Sequence, residues 1–559
     1  MSEQIIIERD IPCELRDGTT LYANVYRPNQ DGEWPALLTR LPYNKNLPNF
    51  SHRYIDPIKI ALAGYVVIIQ DVRGRFSSEG EFHPFQQEFY DGYDSIEWAA
   101  SLPYSNGHVG MFGLSYYGFT QLFAAMTNPP SLKAIFPAFT GHDIANGFSY
   151  RDGAVELGKL QTWLLDSVAS DYLKRKQSNT EYEKTEELLL NDLEQIFQWH
   201  SYTPYEAWPP AKKHPALYDL YVRYMNNNLM KNEDQFSIEN VNIPGLHLAG
   251  WYDCFLNQTI DNYAKMHPQN DNQKLIIGPW GHGVFSPFFG ERYFGLKASD
   301  DQVNGQYDLT SLHIEWFNYW LKGISNDLVD REAPIQLFVM GDNQWRSEYE
   351  WPLNRTNYKP LYVTNDGLDF QHPNETFSYS TYDYAPEDPV PTKGGPTLLM
   401  HNVNTGPLDQ QNIESRDDVL VFTSETLTKP LEITGPVKAY IHASSDAVDT
   451  DFTVKLTDVL PNGRSINVTE GIVRATHQHP DFKANHITLF EIDLWATSQV
   501  FLQGHAIRIQ ISSSNFPVYD VNPNTGATLK DTTKTQIAKQ TIYHDDKHPS
   551  HILLPIIPR

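Results

Sequence analysis

The run Gly113-Leu114-Ser115-Tyr116-Tyr117-Gly118 sets a serine between two glycines, behind the apolar stretch HVGMF and ahead of the helix-like FTQLFAAMT. Strand, sharp turn and helix in that order are the setting in which a G-x-S-x-G turn presents a nucleophile. The glycines answer a steric need. The turn holds the serine in a strained conformation, and side chains on either flank would meet neighbouring backbone. A serine hydroxyl is a weak nucleophile at neutral pH and must hand its proton to a base. His282, in Pro279-Trp280-Gly281-His282-Gly283, and Asp253, in Trp251-Tyr252-Asp253, follow in the chain order of an α/β-hydrolase, serine then acid then histidine. Each sits just past a strand-like run, GLHLAG for Asp253 and KLIIG for His282. That is the edge where open α/β sheets bind ligands. Asp253 would orient the imidazole and stabilise its charged form; the competing reading of Asp253 is a helix N-cap. The chemistry implied is acyl transfer to Ser115.

Such a reaction needs two donors for the oxyanion. The backbone N–H of Tyr116, at the start of the helix, is one. The other should come from the loop after an earlier strand, here Thr39-Arg40-Leu41-Pro42-Tyr43-Asn44-Lys45. No His-Gly-Gly-Gly run occurs there, so the Tyr43 hydroxyl is the candidate, against the plainer reading of a loop aromatic. No cofactor is required. His477 and His479 fall on one face of a predicted strand without a third ligand, so no metal site is expected. The two cysteines, Cys13 and Cys254, are read as buried, inert thiols, although Cys254 adjoins Asp253.

The elements that must carry these residues divide the 559-residue chain by texture. In 1–143, short apolar runs (PALLTRL, GYVVIIQ, HVGMFG, KAIFPA) alternate with helix-like stretches such as EFYDGYDSIEWAASL. Runs apolar on both faces read as strands of a buried parallel sheet. The pattern returns in 240–345 with GLHLAG, KLIIG, the helix SLHIEWFNYWLKG and PIQLFVMG, expected to be the last strand. In that helix Leu312, Trp316, Phe317 and Trp320 share a face, with Gly323 as C-cap. Between these halves, 144–239 shows only helical periods, as in VELGKLQTWLLDSVASDYL and in EELLLNDLEQIFQWH, where Leu189, Leu193, Ile196 and Phe197 fall on one face. This reads as a helical cap. From 346 to 559, short β-rich runs punctuated by proline and glycine read as a β-sandwich or jelly roll. The fold class is therefore α/β: an α/β-hydrolase domain with a helical cap insertion and a C-terminal all-β jelly-roll domain.

Bulk properties exclude other classes. A net charge of −26 opposes binding to nucleic acid or an anionic membrane. No apolar run approaches the ~20 residues that span a bilayer, and the N-terminus lacks the basic start and apolar stretch of a signal peptide. A cytoplasmic location is expected. The expected partner is a small-molecule ester or amide substrate; a homodimer is the open oligomeric option.

Taken together, RDGTTLYANVYRP, LPYNK, QDVRGRFSSEGEF, GLSYYG, GWYDCFLN, GPWGH, SSDAVDTDFTVKL and SSSNFPVYDVNPNTG span nearly the whole chain. On these runs the sequence resembles the CocE/NonD hydrolases, which are similar to the X-Pro dipeptidyl-peptidase (S15) group. The resemblance implies a Ser115–Asp253–His282 triad and an oxyanion hole of the Tyr43 hydroxyl and the Tyr116 N–H. It also implies an aromatic acyl pocket between three domains, with Phe255, Trp163, Leu399 and Met400 as lining. One departure matters. The related α-amino-acid ester hydrolases carry amine-binding carboxylates two and three residues past the catalytic acid, where this chain has Phe255 and Leu256. The expectation is therefore a serine carboxylesterase for aromatic or apolar acyl groups. The alternatives are an X-Pro dipeptidyl-peptidase or an amide or β-lactam acylase, and, more remotely, a non-catalytic carbohydrate- or partner-binding protein.

Overall fold

The computed structural model describes residues 4–52, 55–226, 236–399 and 404–559. Ten strands among them form one sheet: β1 (Ile5–Glu14), β2 (Thr20–Pro28), β3 (Trp34–Leu41), β4 (Val66–Asp71), β5 (Ser105–Leu114), β6 (Leu132–Ala138), β7 (Gly245–Tyr252), β8 (Gln273–Gly281), β9 (Ile335–Val339) and β10 (Gln344–Glu348). Their spatial order is β1-β2-β4-β3-β5-β6-β7-β8-β9-β10. From β4 through β3 and on to β9 every neighbouring pair is parallel. The pairs β1/β2, β2/β4 and β9/β10 are antiparallel. Strands β4, β7 and β8 are buried along their whole length. This is why they read as continuous apolar runs rather than alternating ones. The helix Leu309–Lys322 buries Leu312, Trp316 and Phe317 and stops at Gly323, left-handed at φ 68°, as its sequence predicts.

Several details differ from the sequence reading. PIQLFVMG is not the last strand, because β10 folds back beside it and carries the sheet past the expected boundary at 345. Strands β1 and β2 lie at the sheet edge, beyond the apolar runs named from the sequence, and β1 is half-exposed, so it lacks the apolar run of a central strand. His477 lies in a helical turn, Ala475–Gln478, so His477 and His479 do not share a strand face.

Between β6 and β7 the chain is mainly helical, with Leu157–Thr162, a π-helical stretch Trp163–Val168, Ala169–Lys174, Asn179–Glu194, Ile196–Trp199, Pro209–Lys212 and Pro215–Met225, but a short antiparallel hairpin, Tyr150–Arg151 with Ala154–Val155, opens it where the sequence showed only helical periods. Leu189 and Ile196 are buried here, but Phe197 is 44% exposed. The break at Gln195 ends one helix and restarts the next, which resets the helical phase. The C-terminal region is a two-sheet β-sandwich, one sheet of seven strands and one of four, closed over Ile441, Phe452, Val454, Leu456, Ile492 and Ile509. It docks on the ten-stranded sheet through backbone bonds between Met340 and the strand Thr488–Phe501: Met340 N donates to Ser498 O at 3.0 Å, and Val500 N to Met340 O at 2.8 Å. No described helix is long and apolar enough to cross a membrane.

Three histidines are sealed in this framework: His313 against Phe136, His247 on β7 and His200 in the cap. Burial pulls His313 down to about 3 and His247 and His200 down to about 4. A histidine with a lowered folded value stays neutral while the unfolded chain takes up a proton, so stability is lost as pH falls below about 6.5. Between pH 7.5 and pH 5 each should remove about 2 kcal/mol of folding stability. Urea unfolding at the two pH values, with His313→Phe beside the parent protein, should show the smaller drop in the variant.

Candidate active site

Strand β5 ends at Leu114, and the helix Tyr116–Met126 begins two residues later, leaving Ser115 alone to make the turn. Its backbone sits at φ 60°, ψ −128°. A non-glycine residue holds that conformation only when its surroundings over-determine it. They do. Ser115 N donates to Ala138 O at 3.0 Å, and the Thr140 hydroxyl donates to Ser115 O at 2.8 Å. The buried Gln121 amide ties Gly113 O, Tyr117 O and Phe136 O together at 3.0, 3.0 and 3.2 Å. A Cβ on Gly113 would come within 2.7 Å of Tyr117 O, and one on Gly118 within 2.4 Å of Thr140 Cβ. The small position after Ser115 is therefore three residues on, at Gly118. Tyr117 occupies the place where the G-x-S-x-G pattern has glycine.

His282 Nε2 lies 2.9 Å from Ser115 Oγ, and His282 Nδ1 lies 2.7 Å from Asp253 Oδ1. Asp253 is fully buried, and its second oxygen accepts the Phe255 N–H at 3.1 Å. The carboxylate is thus held in one orientation at the end of β7, the imidazole at the end of β8 and the serine at the end of β5. Three neighbouring regions of one sheet edge bring together residues 167 positions apart. Asp253, Cys254 and His282 also form the one described group with enough donors to grip a metal. The chemistry does not fit. Both His282 nitrogens are engaged, and burial pushes the Cys254 thiol well above its usual range, away from the thiolate a metal needs.

Tyr116 is the first residue of its helix, so its N–H has no acceptor within the helix. Its phenol is locked from below: it donates to Glu88 Oε1 at 2.9 Å and accepts the Phe85 N–H at 2.8 Å. Glu88 also takes Arg40 Nη1 at 2.8 Å, with both side chains buried. Burial raises the Glu88 carboxyl, while the Arg40 charge and the Tyr116 bond pull it back. Tyr43 stands edge-on to Tyr116 and Tyr117 at 6.4 and 6.2 Å. Its loop is pinned by Lys45, whose N–H donates to Asp71 Oδ1 at 2.7 Å and whose buried ammonium reaches Asp71 and Asp10.

Of the predicted pocket residues, Phe255 and Trp163 converge. Both face Phe148, at 6.4 and 5.1 Å between ring centres, and Phe255 lies 5.4 Å from the His282 ring. Leu399 is buried against the cap, where a Cβ on Gly158 would lie 2.6 Å from its Cδ2. Met400 lies outside the described residues. Sequence reasoning missed Phe85, Phe148 and Tyr224, which complete the wall around Trp163 at 6.1, 5.1 and 6.0 Å. It also missed Arg75. This fully buried guanidinium donates to Pro42 O, Val168 O and Ser167 O, each at 2.9 Å, so it clamps the Tyr43 loop to the cap. The only signal was its place in the QDVRGRF run.

Residues 17–284 match the family model "X-Pro dipeptidyl-peptidase (S15 family)", and 326–553 match "X-Pro dipeptidyl-peptidase C-terminal non-catalytic domain". The chain is 36% identical to a cocaine esterase from Rhodococcus sp. (strain MB1 Bresler), over 99% of each chain. Among solved structures it resembles an aminopeptidase from a marine sediment Thaumarchaeota archaeon (TM-score 0.81, 22% identity, 99% of this chain and 97% of that one). It also resembles an α-amino acid ester hydrolase (TM-score 0.75, 24% identity, 99% and 97%). These two likenesses speak for the fold.

Removing the Arg75 guanidinium leaves three carbonyls without their donor. Arg75→Met should lower folding stability by at least about 3 kcal/mol. Limited proteolysis should then cut first in the cap around 157–174, whereas an unchanged digestion pattern would contradict the clamp.

Proposed function

The chain belongs to the X-Pro dipeptidyl-peptidase (S15) family, in its CocE/NonD branch of serine hydrolases, and on that premise we propose that it is a carboxylesterase acting on esters of aromatic or bulky apolar acids. The observation that carries the reading is the hydrogen-bonded line from Ser115 through His282 to Asp253, at 2.9 and 2.7 Å, on a strained serine turn. His282 takes the Ser115 proton as the hydroxyl attacks the carbonyl carbon. Asp253 holds the tautomer and stabilises the imidazolium. The tetrahedral oxyanion is met by the Tyr43 O–H and the Tyr116 N–H. The protonated His282 then gives its proton to the leaving alcohol. Water, deprotonated by the same imidazole, clears the acyl-enzyme and restores Ser115.

The acyl preference rests on the rings around Trp163 and Phe255. An aromatic wall gains by burying a flat apolar group, and offset or edge contacts between rings add to that gain. The positions two and three past Asp253 are Phe255 and Leu256, both buried, so they offer an amine nothing to bind. The cocaine esterase likeness points the same way, towards an ester rather than a dipeptide.

Ser115→Ala should abolish both turnover and labelling by a fluorophosphonate, read by intact mass and peptide mapping. Tyr43→Phe should keep the label but lower kcat by about 10²- to 10³-fold. Aryl, aliphatic and aminoacyl esters should be assayed beside X-Pro amides. Turnover confined to X-Pro amides would keep the nucleophile and overturn the substrate class.

A further inference from the structure

We propose that the Trp163 indole N–H is a positioning donor for the Tyr43 hydroxyl, so that the helical cap completes the oxyanion hole as well as the acyl pocket. The inference rests on Tyr43 acting as an oxyanion donor. Trp163 Nε1 lies 3.1 Å from Tyr43 Oη, and both side chains are buried. An indole N–H donates and cannot accept. In this pair the Tyr43 oxygen is therefore the acceptor, and the phenolic proton is turned away from the indole. A hydroxyl that accepts one hydrogen bond donates a stronger one, because the two bonds polarise each other. The contact thus sets both the direction and the strength of the Tyr43 donor.

The surroundings keep that contact in place. The Tyr43 ring is braced edge-on by Tyr116 and Tyr117, which leaves the C–O torsion as its main freedom. Trp163 opens the π-helical stretch of the cap, and Ser167 and Val168 close it. Their carbonyls share the Arg75 guanidinium with Pro42, the residue before Tyr43. One buried cation therefore holds the segment carrying the donor against the segment carrying the acceptor. Loss of the N–H should lower kcat and spare KM, since the ring that touches the acyl group remains.

The test replaces Trp163 with benzothienylalanine, which keeps the bicyclic shape and puts sulfur where the N–H was. With an aryl ester, kcat should fall about five- to tenfold, with KM little changed. Affinity for an aryl boronate, whose tetrahedral adduct on Ser115 places an oxygen in the oxyanion hole, should fall by the same factor. The melting temperature should stay within the spread of the parent protein. In a Tyr43→Phe background the same replacement should have no further effect, because the hydroxyl it acts through is gone. Equal losses in the two backgrounds would mean that Trp163 acts by packing, and an unchanged kcat would mean that its N–H has no role; either overturns the inference. If Tyr43→Phe alone leaves kcat unchanged, the oxyanion assignment fails and this inference falls with it. That result is distinct from a costly Tyr43→Phe with additive losses, which removes the inference alone.

Discussion

The backbone of Ser115 is the constraint on which the rest of the site depends. A serine at φ 60° is unfavourable by about 1–3 kcal/mol, and it stays there only because its neighbours leave no other solution. The constraint is collective. Strand β6 supplies Ala138 O, the following loop supplies Thr140, and the helix after the turn supplies Gln121. Gln121 uses both ends of its amide, accepting the Phe136 N–H at 3.0 Å while donating to three carbonyls. The strain is thereby spread over the interface of two parallel strands and one helix. A rigid elbow fixes the Ser115 oxygen and, one residue on, the Tyr116 N–H, the two groups that the proposed reaction needs in fixed positions.

The second layer of the site is electrostatic and lies under the donors. Buried charges are tolerated when they are paired and hydrogen-bonded. Arg40 with Glu88 sits beneath Tyr116, and Lys45 with Asp71 sits beneath the Tyr43 loop. Both pairs join residues at the ends of β3 and β4 to nearby segments, so each ties an element of the proposed oxyanion hole to the centre of the sheet. Replacing such pairs by apolar groups can leave stability intact. Their value here is geometric, because the groups they hold must stand in place before the reaction begins.

The sequence made the strand-end chemistry legible because it is local. Ser115, Asp253 and His282 each sit in a short run whose strand and turn can be read alone, and the structure brings all three into hydrogen-bonding contact. The parallel strands were legible for the same reason: burial on both faces leaves uninterrupted apolar runs. The helical texture of 144–239 was legible, but its internal phase was not. A π turn at Trp163–Val168 and a break at Gln195 shift every face that follows, and periodicity cannot register such slips. Tyr43 became a candidate with force only through family resemblance. Phe85, Phe148, Tyr224 and Arg75 stayed silent because their roles arise from convergence of separate segments.

That silence has a physical reason. A triad needs each member at one distance from the next, so strand ends suffice to place it. A pocket wall needs many side chains from many segments to agree in shape, and any large apolar residue serves as well in a core. Arg75 is the instructive case. An arginine in a loop reads as a surface charge, yet here it spends all three nitrogens on carbonyls of two separate segments. Its five N–H groups in a rigid fork suit it to joining two chain ends that have no regular pairing of their own. Cap and sheet are thus held in register by a residue that is no part of the hydrogen-bonded line from Ser115 to Asp253. The register matters to the proposed chemistry because the loop on one side carries Tyr43 and the turn on the other carries Trp163, whose indole N–H meets the Tyr43 oxygen.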